Sequence, residues 1–350
     1  MPKQCMLCKF DGSDAQVGLC TGVANLQKRQ LGCDGPIVSV IGLGCMRMSN
    51  IMGGPQPLAG GQRDHESIAT IHAALDAGID LLNTGDFYGM GHNESVIGKA
   101  LRGRRERAFL SVKTGIQRTF DGKILGMDGR PDSIKNFASY SLQRLGVDHI
   151  DLYQPARNDP SVPIEETVGA IADLIREGKV RYLGLSEVNA EQLRRAHATH
   201  PVAALEIEYS LAERFIEVNM QTTARELGVG IVAYGVVTQG LLAGTMRAGS
   251  SDPQLASSFS RFRGDNLQRN LHKVRVLEAM ADEKGVSPAN IAIAWLLSRG
   301  QDIVAVLGMS QRPHLGDNLA SLELELTPAD LALLDDTFPI GAISGSRRSS

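Results

Sequence analysis

Short apolar runs alternate with helix-length amphipathic stretches along most of this chain. Eight runs, at 37–43, 79–82, 108–112, 149–153, 180–184, 203–207, 230–233 and 303–307, have the length and near-continuous apolar character of strands buried on both faces. The stretches between them carry helix signals. The segment 64–77 stops at Gly78; 131–145 opens on Pro131 and stops at Gly146; 163–177 has Glu165 and Glu166 in its first turn and Gly178 just beyond. Strand and helix in strict alternation imply parallel pairing through right-handed crossovers, and eight such units imply a (β/α)8 TIM barrel.

That pattern divides the chain. Residues 1–25 have no periodicity and are expected to form an extension, possibly disordered, ahead of a barrel domain over 26–340. The Gly-, Ser- and Arg-containing residues 341–350 are expected to form a flexible tail. The longest irregular connection, about 235–265, follows the seventh strand, where barrels place lids over their C-terminal face.

Composition narrows the class without choosing a chemistry. A 350-residue chain of 43% hydrophobic and 21% charged residues with a formal net charge of -3 has no broad electrostatic pull toward nucleic acid or anionic membrane. The dense basic cluster Arg102, Arg104, Arg105 and Arg107 reads as a solvated helix end. No window approaches the roughly 18 apolar residues of a membrane span, and the first residues lack a signal-peptide core, so the cytoplasm is the expected compartment. Five cysteines, an odd number, argue against a disulfide framework. Cys5 and Cys8 with Cys20 and Cys33 lack the regular spacing and nearby His of a zinc site, so no metal is expected.

One nucleotide-binding motif is excluded early. Gly42 and Gly44 follow a strand-like run, but the third glycine position of a G-x-G-x-x-G turn holds Arg47, and Gly and Pro interrupt 49–61 where a helix would have to receive a pyrophosphate. A Rossmann domain does not fit. Chemistry in a barrel gathers where strands end at the C-terminal face. Tyr88 lies just past the second run and Lys113 just past the third, and a phenol beside an ammonium makes a proton donor, because the cation favours phenolate.

The other strand ends make the chain recognisable. The segment 78–98, with Tyr88, Gly89, Glu94 and Gly98 at their spacings, resembles the signature of the aldo-keto reductases. So do Pro163 to Thr167, Gly178 to Arg181, Gly184-Leu185-Ser186, Glu208 to Leu211, and Ser287-Pro288 through Trp295, and the likeness covers about residues 27–338. The resemblance implies a (β/α)8 enzyme that binds extended NADPH, with NADH as the alternative, and reduces a small-molecule aldehyde or ketone by hydride transfer. By position, Tyr88 matches the family's general acid and Lys113 its lysine.

Two family positions depart. Asn83 stands where an Asp normally pairs with the lysine; its amide oxygen accepts a hydrogen bond from the ammonium but brings no charge, which Asp86 is the nearby candidate to supply. Ala156 stands where a His orients the substrate. Asn83 and the Pro155-Ala156-Arg157 run, with Glu206 to Tyr209, resemble the pyridoxal reductase branch, implying reduction of pyridoxal to pyridoxine. The family's nicotinamide contacts map to Ser186, to Glu206 in place of the usual Gln, and to Tyr234. Its adenosine contacts map to Gly308, Ser310, Gln311, His314 and Asn318, with Arg312 and His314 available for a 2′-phosphate. Two further readings stay open: a slow or non-catalytic cofactor-binding relative, and an NAD-linked alcohol or pyridoxal dehydrogenase.

Overall fold

Eight parallel strands close on themselves in chain order, the last hydrogen-bonded back to the first. They are Ile41–Gly44 (β3), Leu81–Gly85 (β4), Phe109–Thr114 (β5), Ile150–Pro155 (β8), Val180–Ser186 (β9), Val202–Glu208 (β10), Gly230–Tyr234 (β11) and Ile303–Gly308 (β12). Helices surround the barrel, among them α1 (Gln62–Asp76), α2 (His92–Ala100), α3 (Pro131–Leu145) and α4 (Ile164–Arg176). This computed structural model describes residues 26–49, 62–119, 121–246, 256 and 258–347. The expected extension 1–25, Cys5, Cys8 and Cys20, residues 348–350 of the expected tail, and part of the 235–265 connection lie outside them. No helix among the described residues is long and apolar enough to cross a membrane, and no described group of three or more His, Cys, Asp and Glu is placed to hold a metal ion.

The apolar runs at 108–112 and 149–153 form the single strands β5 and β8, whereas that at 37–43 forms two. That run splits into a separate strand, β2 (Ile37–Ser39), and the barrel strand β3. Ser39 causes the break: its Oγ donates to the Ile41 carbonyl at 2.7 Å while its N–H donates to Asp80 at 2.7 Å, drawing the backbone out of the ladder. β2 pairs antiparallel with β1 (Lys28–Gln30), and this hairpin closes the N-terminal end of the barrel. Leu31 and Val38 there join Leu81, Leu152, Ala204, Val232, Val304 and Val306 in the barrel's interior packing. A second hairpin, β6 (Ile116–Arg118) with β7 (Ile124–Met127), rises after β5 on the opposite face.

Strand periodicity then fixes which residues point inward. Because side chains alternate faces, Asn83 lies above Leu81, Lys113 above Ser111, Gln154 above Leu152, Ser186 above Gly184 and Glu206 above Ala204, all on the interior. The outward set, including Leu82, Leu110, Val112, Tyr153, Leu183, Leu185 and Leu205, packs under the helices. The lower barrel is apolar and the upper layer polar.

Candidate active site

These inward polar side chains lie toward the C-terminal ends of their strands, and Asn83, Lys113, Gln154 and Glu206 meet at one point. Lys113 donates to Asn83 Oδ1 at 2.5 Å and to Glu206 Oε1 at 2.8 Å. The other Glu206 oxygen, Oε2, accepts from Asn83 Nδ2 at 2.7 Å and from Gln154 Nε2 at 2.6 Å. Ser111 Oγ accepts from both amides, at 3.3 and 3.1 Å. The ion pair is almost fully withdrawn from water, with side chains 6% and 3% exposed. A carboxylate so buried is tolerable only when it is paired and its lone pairs are satisfied, and here both conditions hold.

Glu206 therefore sits against Lys113, which revises its place among the expected cofactor contacts. It also corrects the expectation that Asp86 carries the missing charge. Asp86 accepts from Thr114 Oγ1 at 2.6 Å and is half-buried; desolvation pushes its carboxyl up to about 7 against that hydrogen bond. It makes no ion pair with Lys113. The negative charge absent from β4 is present on β10, reaching the same ammonium from across the barrel.

Tyr88 lies beside this cluster in a tight turn, Tyr88–Gly91, whose Gly89 and Met90 have φ of 56° and 55°. Its ring packs edge-on to Phe87 at 4.7 Å between centroids and against Ala156, and the Lys113 ammonium lies 5.5 Å from its centroid. Ala156 is buried and adds its methyl group to the wall beside Tyr88. Burial raises the Tyr88 pKa above its ordinary value, opposed by the Lys113 cation and reinforced by the Glu206 anion. The phenol thus stays protonated at neutral pH, the state a proton donor needs. Burial alone works against the Lys113 ammonium, yet Glu206 and Tyr88 outweigh it and the net shift is upward.

A family profile described as "Aldo/keto reductase family" matches residues 40–337. A probable aldo-keto reductase of Glycine max is 37% identical over 329 residues, covering 93% of this chain and 92% of that protein. The chain belongs to the aldo/keto reductase family. This aldo/keto reductase is accordingly an NAD(P)H-dependent oxidoreductase acting on small-molecule carbonyl compounds. Among solved structures it resembles the glycerol dehydrogenase of Gluconobacter oxydans, with a TM-score of 0.80 at 30% identity, covering 89% of this chain and 94% of that one. It also resembles the holo form of an aldo-keto reductase from Bacillus halodurans, with a TM-score of 0.72 at 26% identity, covering 90% and 97%.

The strand ends of the reductase suit a nicotinamide amide. Ser186 Oγ and Gln154 Oε1 are buried at the ends of neighbouring strands, and neither has a hydrogen-bond partner among the described residues. A buried polar atom is costly unless satisfied, and a carboxamide carries both a donor and an acceptor. Tyr234 closes the same side, its hydroxyl donating to Glu187 Oε1 at 2.9 Å. At the far end, Gly308 finishes β12, and Gln311 and His314 are exposed with Ser310 and Asn318 half-buried around the short helix Pro313–Leu319. Arg312 there is paired with Glu66 on α1 at 3.2 Å, so a phosphate reaching it competes with a carboxylate. Sequence reading assigned no role to Gln154 or Glu187, although both stand at strand ends. The signal for Gln154 was visible, a polar residue at an inward position of an otherwise apolar strand.

The remaining signature residues hold the scaffold of the enzyme. Glu94 accepts from Arg144 Nε at 2.5 Å, tying α2 to α3. Gly98 lets those helices touch, since a Cβ there would stand 2.6 Å from the Leu145 carbonyl oxygen. Trp295 is buried, with the guanidiniums of Arg214 and Arg299 at 5.1 and 5.2 Å from its ring and its indole N–H donating to Asp335.

Proposed function

We propose that Tyr88 is the general acid of an aldehyde reductase whose lysine is paired to Glu206 rather than to the residue at position 83. The observation that carries this reading is the Lys113 ammonium held between Asn83 and Glu206 beside the buried Tyr88 hydroxyl. NADPH, when bound, supplies the hydride to the carbonyl carbon. Tyr88 gives its proton to the carbonyl oxygen, and Lys113 stabilises the phenolate left behind. Glu206 keeps Lys113 ionised and, with Asn83, fixes its position. Ser186 and Gln154 orient the nicotinamide amide, Tyr234 flanks the ring, and Gly308, Ser310, Gln311, His314 and Asn318 receive the adenosine end. Pyridoxal is the aldehyde favoured by the likeness of Asn83 and the Pro155-Ala156-Arg157 run to the pyridoxal reductase branch.

The test is NADPH and NADH consumption with pyridoxal and simple aldehydes. Tyr88→Phe should lower turnover by about 10² or more, the range of a positioned acid, with cofactor affinity retained. Unchanged turnover sinks the proposed role. The likeness to a glycerol dehydrogenase favours a second reading, alcohol oxidation by the same residues in reverse. Faster NAD(P)⁺ reduction with polyols than NADPH oxidation with aldehydes would select it.

A further inference from the structure

The last described residues cross the mouth of the barrel. Ile343 is buried; Ser344 exchanges hydrogen bonds with Asn270, its N–H donating at 2.8 Å and its carbonyl accepting at 2.9 Å; the Ser346 N–H donates to Ser260 Oγ at 2.7 Å. Gly345 has φ +92° and lies so close to Arg261 that a Cβ would stand 2.6 Å from its backbone nitrogen. This path delivers Arg347 into a pocket of carboxylates at the ends of β9 and β10. Arg347 Nη2 meets Glu187 Oε2 at 2.7 Å and Nη1 meets Glu208 Oε2 at 3.2 Å, with Glu213 at 4.0 Å from Nε. Arg261 reaches Glu213 at 3.2 Å and Glu208 at 3.6 Å.

Among the described residues, three carboxylates thus face two guanidiniums, and Arg347 is the one carried on the chain's end. Burial pushes Glu208 up to about 7 even with both guanidiniums opposing it. Glu187 links the pocket to the site: it follows Ser186, accepts from the Tyr234 hydroxyl, and takes the Glu208 N–H at 2.9 Å.

We infer that Arg347 is a positioning residue for the dinucleotide, holding Glu187 against Tyr234 and offsetting the strand-end carboxylates that an incoming pyrophosphate would otherwise face. This rests on the proposed cofactor roles of Ser186 and Tyr234. The test is the Kd of the full chain for NADPH by isothermal titration calorimetry. Arg347→Gln should weaken binding roughly tenfold at low salt, the scale of one uncompensated charge nearby, and the ratio to wild type should shrink as KCl is added. Arg347→Lys should stay within about threefold, and Arg347→Gln with Glu208→Gln should regain most of the loss, which a merely structural role does not predict. An unchanged Kd for Arg347→Gln, or a double variant no better than the single, overturns the inference while leaving the proposed function intact. Failure of the wild-type chain to bind either NADPH or NADH overturns both.

Discussion

Glu206→Gln is the sharpest perturbation of this site, because it removes one charge and almost no volume. The ammonium and carboxylate lie 2.8 Å apart, which at an effective dielectric of about 20 is a gross attraction of about 6 kcal/mol. Desolvation offsets much of it, but removing one partner strands the other: broken buried pairs cost about 3–5 kcal/mol. Gln keeps an oxygen for Lys113, so we expect a loss of about 2–4 kcal/mol in urea denaturation followed by Trp295 fluorescence. The kinetic consequence has a definite sign. Burial and Glu206 raise the Tyr88 pKa and Lys113 lowers it; with Asn83 still holding the ammonium, loss of the anion lowers the Tyr88 pKa while burial goes on raising it. Reduction needs protonated Tyr88, so the basic limb of kcat/KM against pH should move down. Asn83→Asp combined with Glu206→Gln returns a carboxylate to Lys113 from β4, and should recover most of the stability and return the basic limb toward wild type. A limb that does not move in the single variant, or a double variant as damaged as the single, refutes the charge pairing.

Three further outcomes follow from the same geometry. Asp86 has a folded-state pKa of about 7, above its ordinary 3.8, so its ionisation opposes folding: the cost is absent near pH 4, grows between the two values and is constant above pH 7. Asp86→Asn should therefore match wild type near pH 4 and exceed it by about 2–4 kcal/mol at pH 8, and a pH-independent difference would exclude this cause. Ser186→Ala should weaken cofactor binding about three- to tenfold without changing the melting temperature, because Oγ has no partner in the described fold. Gly98→Ala should cost about 1–3 kcal/mol in chemical denaturation by forcing α2 from the α3 backbone, and an unaltered stability would show that the helices yield freely.

The barrel was legible because strands buried on both faces cannot hide: each becomes an apolar run, and eight runs name the closure. Its polar layer was partly legible for the same reason, since Asn83, Lys113 and Glu206 interrupt those runs at inward positions. What joins them was not. Lys113 and Glu206 are 93 positions apart, and only the closed barrel shows that the residue read as a cofactor contact reaches the lysine before the nearer Asp86 does. The β1–β2 hairpin escaped notice because Lys28–Gln30 is three residues with no periodicity, and its strand status depends on Val38 and Ile37 lying opposite. Arg347 lay in a stretch whose composition reads as solvent-exposed tail. Its anchoring depends on three glutamates placed by different turns.

The two ends of the described chain leave the barrel on opposite faces. Leu26 packs against Gly78 just before β4, at the end closed by the hairpin, whereas Arg347 finishes inside the mouth where the strand ends converge. Purification handles and fusion partners are consequently not interchangeable here. One joined directly to Leu26 would start beneath the floor. One joined directly to Arg347 would start at Glu187, so preparations compared for cofactor affinity should leave that junction unaltered.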